Sequence, residues 1–188
     1  TYKVEDGAIV GRTTDGSPNS FLSPPKDYGD FVLEFDVKCD PRLNSGCQIR
    51  SHIYDKNFET TTPEGKTRKF EVGHVYGYQC EVCDNVKGLC GDFWDEARRV
   101  KWLGNVKDTP EQRAAFKMGE WNHYKIVAQG DHIRSWVNGV LIADFHDSMD
   151  ASGLIGFQVH GIKAGTGPYE VRWKNIKIRE LSPGDQVD

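Results

Sequence analysis

Hydrophobic and polar residues alternate along most of this chain. In FVLEFDVKC at 31–39, Phe31, Leu33, Phe35, Val37 and Cys39 fall on one side and Val32, Glu34, Asp36 and Lys38 on the other. That period of two predicts a strand with one face in a core. The segment HYKIVAQGDHIRSWVNGVLIADF at 123–145 is interrupted at Gln129-Gly130-Asp131 and again at Asn138-Gly139. Asn-Gly between apolar runs is a strong hairpin signal, because both residues tolerate the positive φ of a type I′ turn. Three strands in an antiparallel meander are predicted there. Runs at 47–54, 77–84, 154–160 and 169–181 are also of strand length, each bounded by Gly, Pro, Asn or Asp.

One stretch reads as helix, near 110–117. Thr109 is a capping residue, Pro110 suits the first helical position, and Gln112 stands three residues after the cap. Many short antiparallel strands with one two-turn helix predict an all-β architecture, two sheets packed face to face as a β-sandwich or jelly roll. The polar segment 55–76 reads as an excursion over the surface. The length of 188 residues predicts one domain, 1–188.

Residues two apart on a strand share a face, so each strand can be sorted by side. In GCQIRSHI (46–53), Cys47, Ile49 and Ile53 take one side; Gln48, Arg50 and His52 take the other. In GYQCEVCD (77–84), Tyr78, Cys80 and Val82 face the apolar side, and Gln79 and Glu81 oppose them. In IGFQVHG (155–161), Phe157 and Val159 point inward, and Gln158 and His160 outward. Three strands therefore each offer a row of planar hydrogen-bonding groups on the face away from the core. Such rows suit a sugar-binding cleft, with Trp94 or Trp102 available to cover a ring. A solvated outer face would be rich in Lys and Thr instead. His74, His123, His132 and His146 read as structural.

Charge and composition narrow the chemistry. With 24 Lys+Arg against 28 Asp+Glu the formal charge is −4, and no basic run is interleaved with aromatics, so nucleic acid is not an expected partner. No apolar stretch has the twenty or so residues a membrane-spanning helix needs. The opening TYKVEDGAIVG reads as the inside of a domain, which suggests a chain trimmed from something longer. Cys80, Cys83 and Cys90 offer three thiolates for zinc, but no second CxxC or paired His completes a site; the other reading sends Cys80 into the core and leaves Cys83 able to bond Cys90. No metal ligands are assigned, and no cofactor is expected; a divalent ion would have Asp84 and Asp95 for support. Glu81 and Asp84 fall on opposite strand faces, and Glu34 and Asp36 lack the third carboxylate of an E-x-D-x-x-E pattern, so an ordinary two-carboxylate glycosidase is weakly supported.

Taken in order, Asn44-Ser45-Gly46 before Gln48-Ile49-Arg50, Gly77-Tyr78-Gln79-Cys80-Glu81, Phe93-Trp94-Asp95-Glu96, Gly156-Phe157-Gln158-Val159-His160-Gly161 and Arg172-Trp173-Lys174-Asn175-Ile176-Lys177-Ile178 form a set. This set resembles the 3-keto-disaccharide hydrolase domain family over nearly the whole chain. The resemblance implies a concanavalin-A-like jelly roll that acts on or binds saccharides, in an extracytoplasmic setting, periplasmic or secreted. Many family members carry Glu at the position of Gln79 and Gln at that of Glu81, which implies an acid-base residue moved by two along one face. The cysteine-rich 80–90 segment also departs from the family pattern.

A 3-keto sugar needs one base to take the acidified C2 proton, one acid for the leaving oxygen, and a donor or cation for the enolate. His160 is the expected base, Glu81 the acid and Arg50 the enolate partner. Gln48, Gln79, Gln158, His52, Asn44, Trp94 and Trp102 are expected to bind substrate. A carbohydrate-binding domain without turnover fits the same rows, and a structural or adhesive sandwich is a third reading.

Overall fold

The computed structural model describes residues 1–82, 90–104 and 107–187. Among them the strands are Tyr2–Glu5 (β1), Ala8–Arg12 (β2), Ser20–Leu22 (β3), Phe31–Cys39 (β4), Ser45–Ile53 (β5), Phe58–Thr61 (β6), Thr67–Phe70 (β7), Val75–Val82 (β8), Phe93–Glu96 (β9), Asn122–Gln129 (β10), His132–Val137 (β11), Val140–His146 (β12), Leu154–Val159 (β13) and Glu170–Glu180 (β14). A seven-stranded antiparallel sheet has the order β1-β2-β14-β4-β10-β11-β12, and a five-stranded sheet the order β3-β13-β5-β8-β9. Strands β6 and β7 pair only with each other.

The alternation in β4 does what its pattern predicts. Phe31, Leu33, Phe35, Val37 and Cys39 are buried between the sheets, and Phe35 stacks on Tyr124 at 5.2 Å while meeting Phe157 of the facing sheet edge-on at 5.3 Å. Such pairs add about 0.5–1.5 kcal/mol beyond the area they bury. The fold is thus the expected all-β sandwich. The Asn138-Gly139 turn has φ of +50° and +82°, as a type I′ hairpin requires. Pro110–Ala115 (α1) is the one helix among the described residues, closed by a reciprocal capping box between Thr109 and Gln112.

Two features differ from the sequence-based expectation. The segment 55–76 contains the β6–β7 hairpin, and its turn leans over the face of the five-stranded sheet. In β5 the pairing with β8 slips between Ile49 and His52, and Arg50 at the slip has φ of +45°. An extra residue at a bulge re-aims the side chains beyond it.

Candidate functional site

The site is built on the non-core face of the five-stranded sheet. Along β8, Tyr78, Cys80 and Val82 are fully buried in the core while Gln79 and Glu81 point the other way. Cross-strand register aligns Gly46 with Glu81, Gln48 with Gln79, and Gln79 with Trp94. Asn44, Gln79, Glu81, Trp94, Gln158 and His160 line one groove of about 780 Å³. Trp102 joins them through an isolated bridge to Trp94, the two rings meeting edge-on at 5.2 Å.

At the floor, Glu81 is almost completely buried and both its oxygens are engaged. Gln79 Nε2 donates to Oε1 at 2.7 Å and Asn44 Nδ2 donates to Oε2 at 3.3 Å. Both hydrogen bonds are received by the carboxyl oxygens, the only direction an ionised carboxylate allows. Gln158 is 1% exposed and its Oε1 has no partner among the described residues. A buried acceptor left unpaired is costly, and a ligand hydroxyl entering the groove would satisfy it.

His160 lies just past the end of β13. Its Nδ1 is 2.7 Å from the carbonyl oxygen of Gly161, which only accepts, so Nδ1 carries a proton and Nε2 is the atom left to exchange one. Gly161 is required by packing: a Cβ there would stand 2.8 Å from the Ser17 carbonyl oxygen and 3.0 Å from the Pro18 carbonyl carbon. Its N–H donates to Asn19 Oδ1 at 2.7 Å, which fixes the backbone that aims the imidazole.

Three expected site residues lie elsewhere. Arg50, carried away by the β5 bulge, is fully buried; it donates to the carbonyls of Gly29 at 2.8 Å, Gly130 at 2.6 Å and Asp150 at 3.3 Å, and to Asp30 Oδ1 at 2.7 Å. Burial lowers the guanidinium pKa and Asp30 opposes that shift. The expectation that Arg50 faces the enolate is corrected: its fork closes loops. His52, beyond the same bulge, places Nε2 3.1 Å from Asp150 Oδ1 with its ring against Tyr76, outside the groove. Gln48 keeps its face but lies beneath Gln79, fully buried, so it cannot touch a ligand.

The structure adds residues that sequence reasoning missed. Glu96, two beyond Trp94 on β9, lines the groove, and strand alternation in FWDE was the signal that could have found it. Lys66 and Arg68 come from the β6–β7 hairpin and Lys101 from the loop beyond β9; nothing local in the sequence marks them. Asp95 is fully buried with its carboxylate held by Arg98 and Arg99, which reach on to Asp150 and Asp147 at 2.5 and 2.7 Å. The anchored turn sets the position of the groove wall at Val100–Trp102, and Asp95 has no oxygen facing the groove for a cation. Asp84 and Cys83 lie outside the described residues. Cys80 faces Cys47 across β5 and β8 in the core, as the core reading of its strand position expects, and burial there pushes both thiols far above their ordinary range. Among the described residues no group of three or more His, Cys, Asp or Glu is placed to hold a metal ion, and no helix is long and apolar enough to cross a membrane.

A two-sheet antiparallel sandwich with a polar, tryptophan-walled groove on one sheet places the chain in the jelly-roll class of folds. Residues 1–179 match the family model of the 3-keto-alpha-glucoside-1,2-lyase-like domain, and the chain belongs to that family. Its fold is similar to carbohydrate binding module CBM66 from Bacillus subtilis, with TM-score 0.62 and 20% identity over 96% of this chain and 91% of that one. It is also similar to the polysaccharide lyase family 7 alginate lyase AlgAT5, with TM-score 0.54 and 16% identity over 95% and 81%. A prokaryotic beta-1,3-1,4-glucanase from a mouse hindgut metagenome has TM-score 0.56 and 14% identity over 94% and 81%. No curated protein matches the sequence.

Proposed function

We propose that this chain cleaves 3-keto-glycosides by elimination across C1 and C2, followed by addition of water. The observation that carries the reading is Glu81, a buried carboxylate at the floor of a sugar-sized groove with an amide N–H on each oxygen. The family's description as 1,2-lyase-like supports the same bond change. A ketone at C3 acidifies the C2 hydrogen. Glu81 takes that proton, the C–H electron pair becomes the enolate, and its collapse forms the C1–C2 double bond as the C1–O bond breaks. The departing oxygen takes a proton from Nε2 of protonated His160.

In an α-glucoside the C2 hydrogen and the C1 oxygen project from opposite faces of the ring, so base and acid must be two groups. Hydrogen-bond directions favour reversing the roles expected from sequence. Glu81 is dressed as an anion and serves as the base, and His160, with its Nδ1 proton tied to Gly161, serves as the acid. Lys66, Arg68 and Lys101 supply the positive charge for the enolate in place of Arg50. Trp94 and Trp102 cover the sugar, and Gln79, Asn44 and Gln158 read its hydroxyls. The family resemblance supports an extracytoplasmic site of action.

A second reading, saccharide binding without turnover, rests on Gln158 Oε1, an acceptor that a sugar hydroxyl satisfies whether or not a bond breaks. Incubation with a 3-keto-α-glucoside, with released sugar followed by mass spectrometry, separates the two. Release by the parent chain, lost in Glu81→Gln and in His160→Ala, is expected; release that persists undiminished in both variants contradicts the assignment.

A further inference from the structure

Beneath the groove, four side chains form a row of hydrogen bonds. Ser51 Oγ stands 2.6 Å from Gln48 Oε1, Gln48 Nε2 2.8 Å from Gln79 Oε1, and Gln79 Nε2 2.7 Å from Glu81 Oε1. Every donor points towards the carboxylate. Chemistry dictates that direction: an ionised carboxylate only accepts, so Gln79 must offer its NH₂ there and turn its carbonyl to Gln48. Gln48 must then offer its own NH₂ and turn its carbonyl to Ser51, whose hydroxyl donates. All four residues are at most 3% exposed, so a wrongly turned amide would strand a buried polar atom.

Two glycines make room for this row. A Cβ on Gly46 would lie 2.7 Å from Gln79 Cδ and Cγ, and one on Gly77 would lie 2.7 Å from Ser51 Oγ. The sequence thus gives up side chains at the middle and at the end of the row. At Gly77 the backbone itself, with φ of +131°, also calls for glycine, so Gly46 is the position given up to the row alone.

We propose that the row is a reversible relay whose direction follows the protonation of Glu81. When Glu81 takes a proton, its O–H becomes a donor and Gln79 turns over to accept it. Gln79 Nε2 then donates to Gln48 Oε1, and Gln48 Nε2 to Ser51 Oγ. The Ser51 hydroxyl swings to the carbonyl of Ile49 at 3.0 Å or of Tyr78 at 3.4 Å, both already within reach. No proton leaves the site along the row, and each direction pairs every group in it. Gln48 and Ser51 are therefore positioning residues. They touch no ligand, yet they allow a buried carboxyl to exist in both forms, as a base that must take up and release a proton requires. The inference rests on the reading of Glu81 as a proton-exchanging group.

Charged and titratable groups of other elements line the groove with Glu81: His160 after β13, Glu96 on β9, Lys101 beyond it, and Glu64, Lys66 and Arg68 of the hairpin. Tyr124 donates to the Glu81 backbone carbonyl. These groups do not carry the state of Glu81 to Gln48, whose amide is bonded to Gln79 and Ser51 instead.

Side-chain amide and carboxyl resonances of the isotope-labelled protein, followed as a function of pH, test the relay without any substrate. The expected result is one shared midpoint for the Glu81 carboxyl carbon and for the amide signals of Gln79 and of Gln48, which does not touch Glu81. In Gln79→Met the Gln48 signals should stop moving while Glu81 still titrates. Gln48 signals that stay still through the Glu81 titration of the parent chain overturn the relay, and the parent chain alone can give this answer. So does a Glu81 locked in one form wherever the fold survives, or a Gln48 response that persists in Gln79→Met. Cleavage assays report separately: a shared midpoint without turnover keeps the relay and discards the lyase reading.

Discussion

Gly46 stands directly opposite Glu81 across β5 and β8, and the space its missing side chain leaves is filled by Gln79. Gly46→Ala would set a Cβ 2.7 Å from Cγ and Cδ of Gln79, whose amide is held at both ends by Gln48 and Glu81. Overpacking of this kind costs about 1–3 kcal/mol. Urea unfolding should show that loss. Calorimetry on the folded variant should show weakened saccharide binding as well, because displaced Gln79 no longer supports Glu81.

Arg50 gives the opposite separation. Its guanidinium satisfies three backbone carbonyls and Asp30, none of them in the groove. Arg50→Met should cost about 2–5 kcal/mol by urea midpoint. Arg50→Lys should recover only part, since one ammonium cannot match a planar fork with four acceptors. Saccharide affinity of the folded fraction should stay at the parent value. An affinity loss without a stability loss would return Arg50 to the site.

The fate of Arg50 shows what the sequence can and cannot reveal. Strand periodicity identifies the core of β4, the meander β10–β12, and the outward rows of β8 and β13, because the slips in their pairing, such as those between Ser135 and Trp136 and between Leu154 and Gly156, leave the predicted faces in place. It fails one residue into a bulge: Arg50 and His52 share a parity with Gln48 but not a direction, and no local residue marks the slip. The first three strands are only three to five residues long, too short for alternation to read. Lys66 and Arg68 reach the groove because a hairpin folds over the sheet, a tertiary event with no periodic signature.

Asp92 supplies a pH test of stability. It is 5% exposed, and burial raises its carboxyl pKa from 3.8 to about 6, opposed by hydrogen bonds from the backbone N–H groups of Phe93 and Gly104. A carboxyl whose pKa is raised on folding stabilises the fold fully below its unfolded pKa, and that contribution is lost as pH rises through the folded value. A shift of this size is worth about 3 kcal/mol. Asp92→Asn removes the titration, so the stability difference between variant and parent should move by about 2.5 kcal/mol in favour of the variant from about pH 4 to about pH 8. Parallel urea midpoints across that range would show that Asp92 titrates normally.

The tryptophan wall should report on ligand. Trp94 and Trp102 meet edge-on at 5.2 Å, and both are partly exposed to the groove. Trp102→Ala should weaken saccharide binding about tenfold or more, about 1.4 kcal/mol or above. Changes in intrinsic fluorescence on titration should diminish in the same variant. An unchanged Kd would place the sugar elsewhere.

The central claim is that Glu81 removes a proton from C2 of a 3-keto sugar. Incubating the chain in heavy water with a 3-keto-α-glucoside, and reading the C2 position of recovered substrate and product by NMR, tests it most directly. Cleavage with deuterium at C2 is expected from the parent chain, and neither exchange nor cleavage from Glu81→Gln. Saturable binding of the 3-keto sugar with C2 left fully protonated and no product would contradict it, and would leave the groove as a saccharide-binding site.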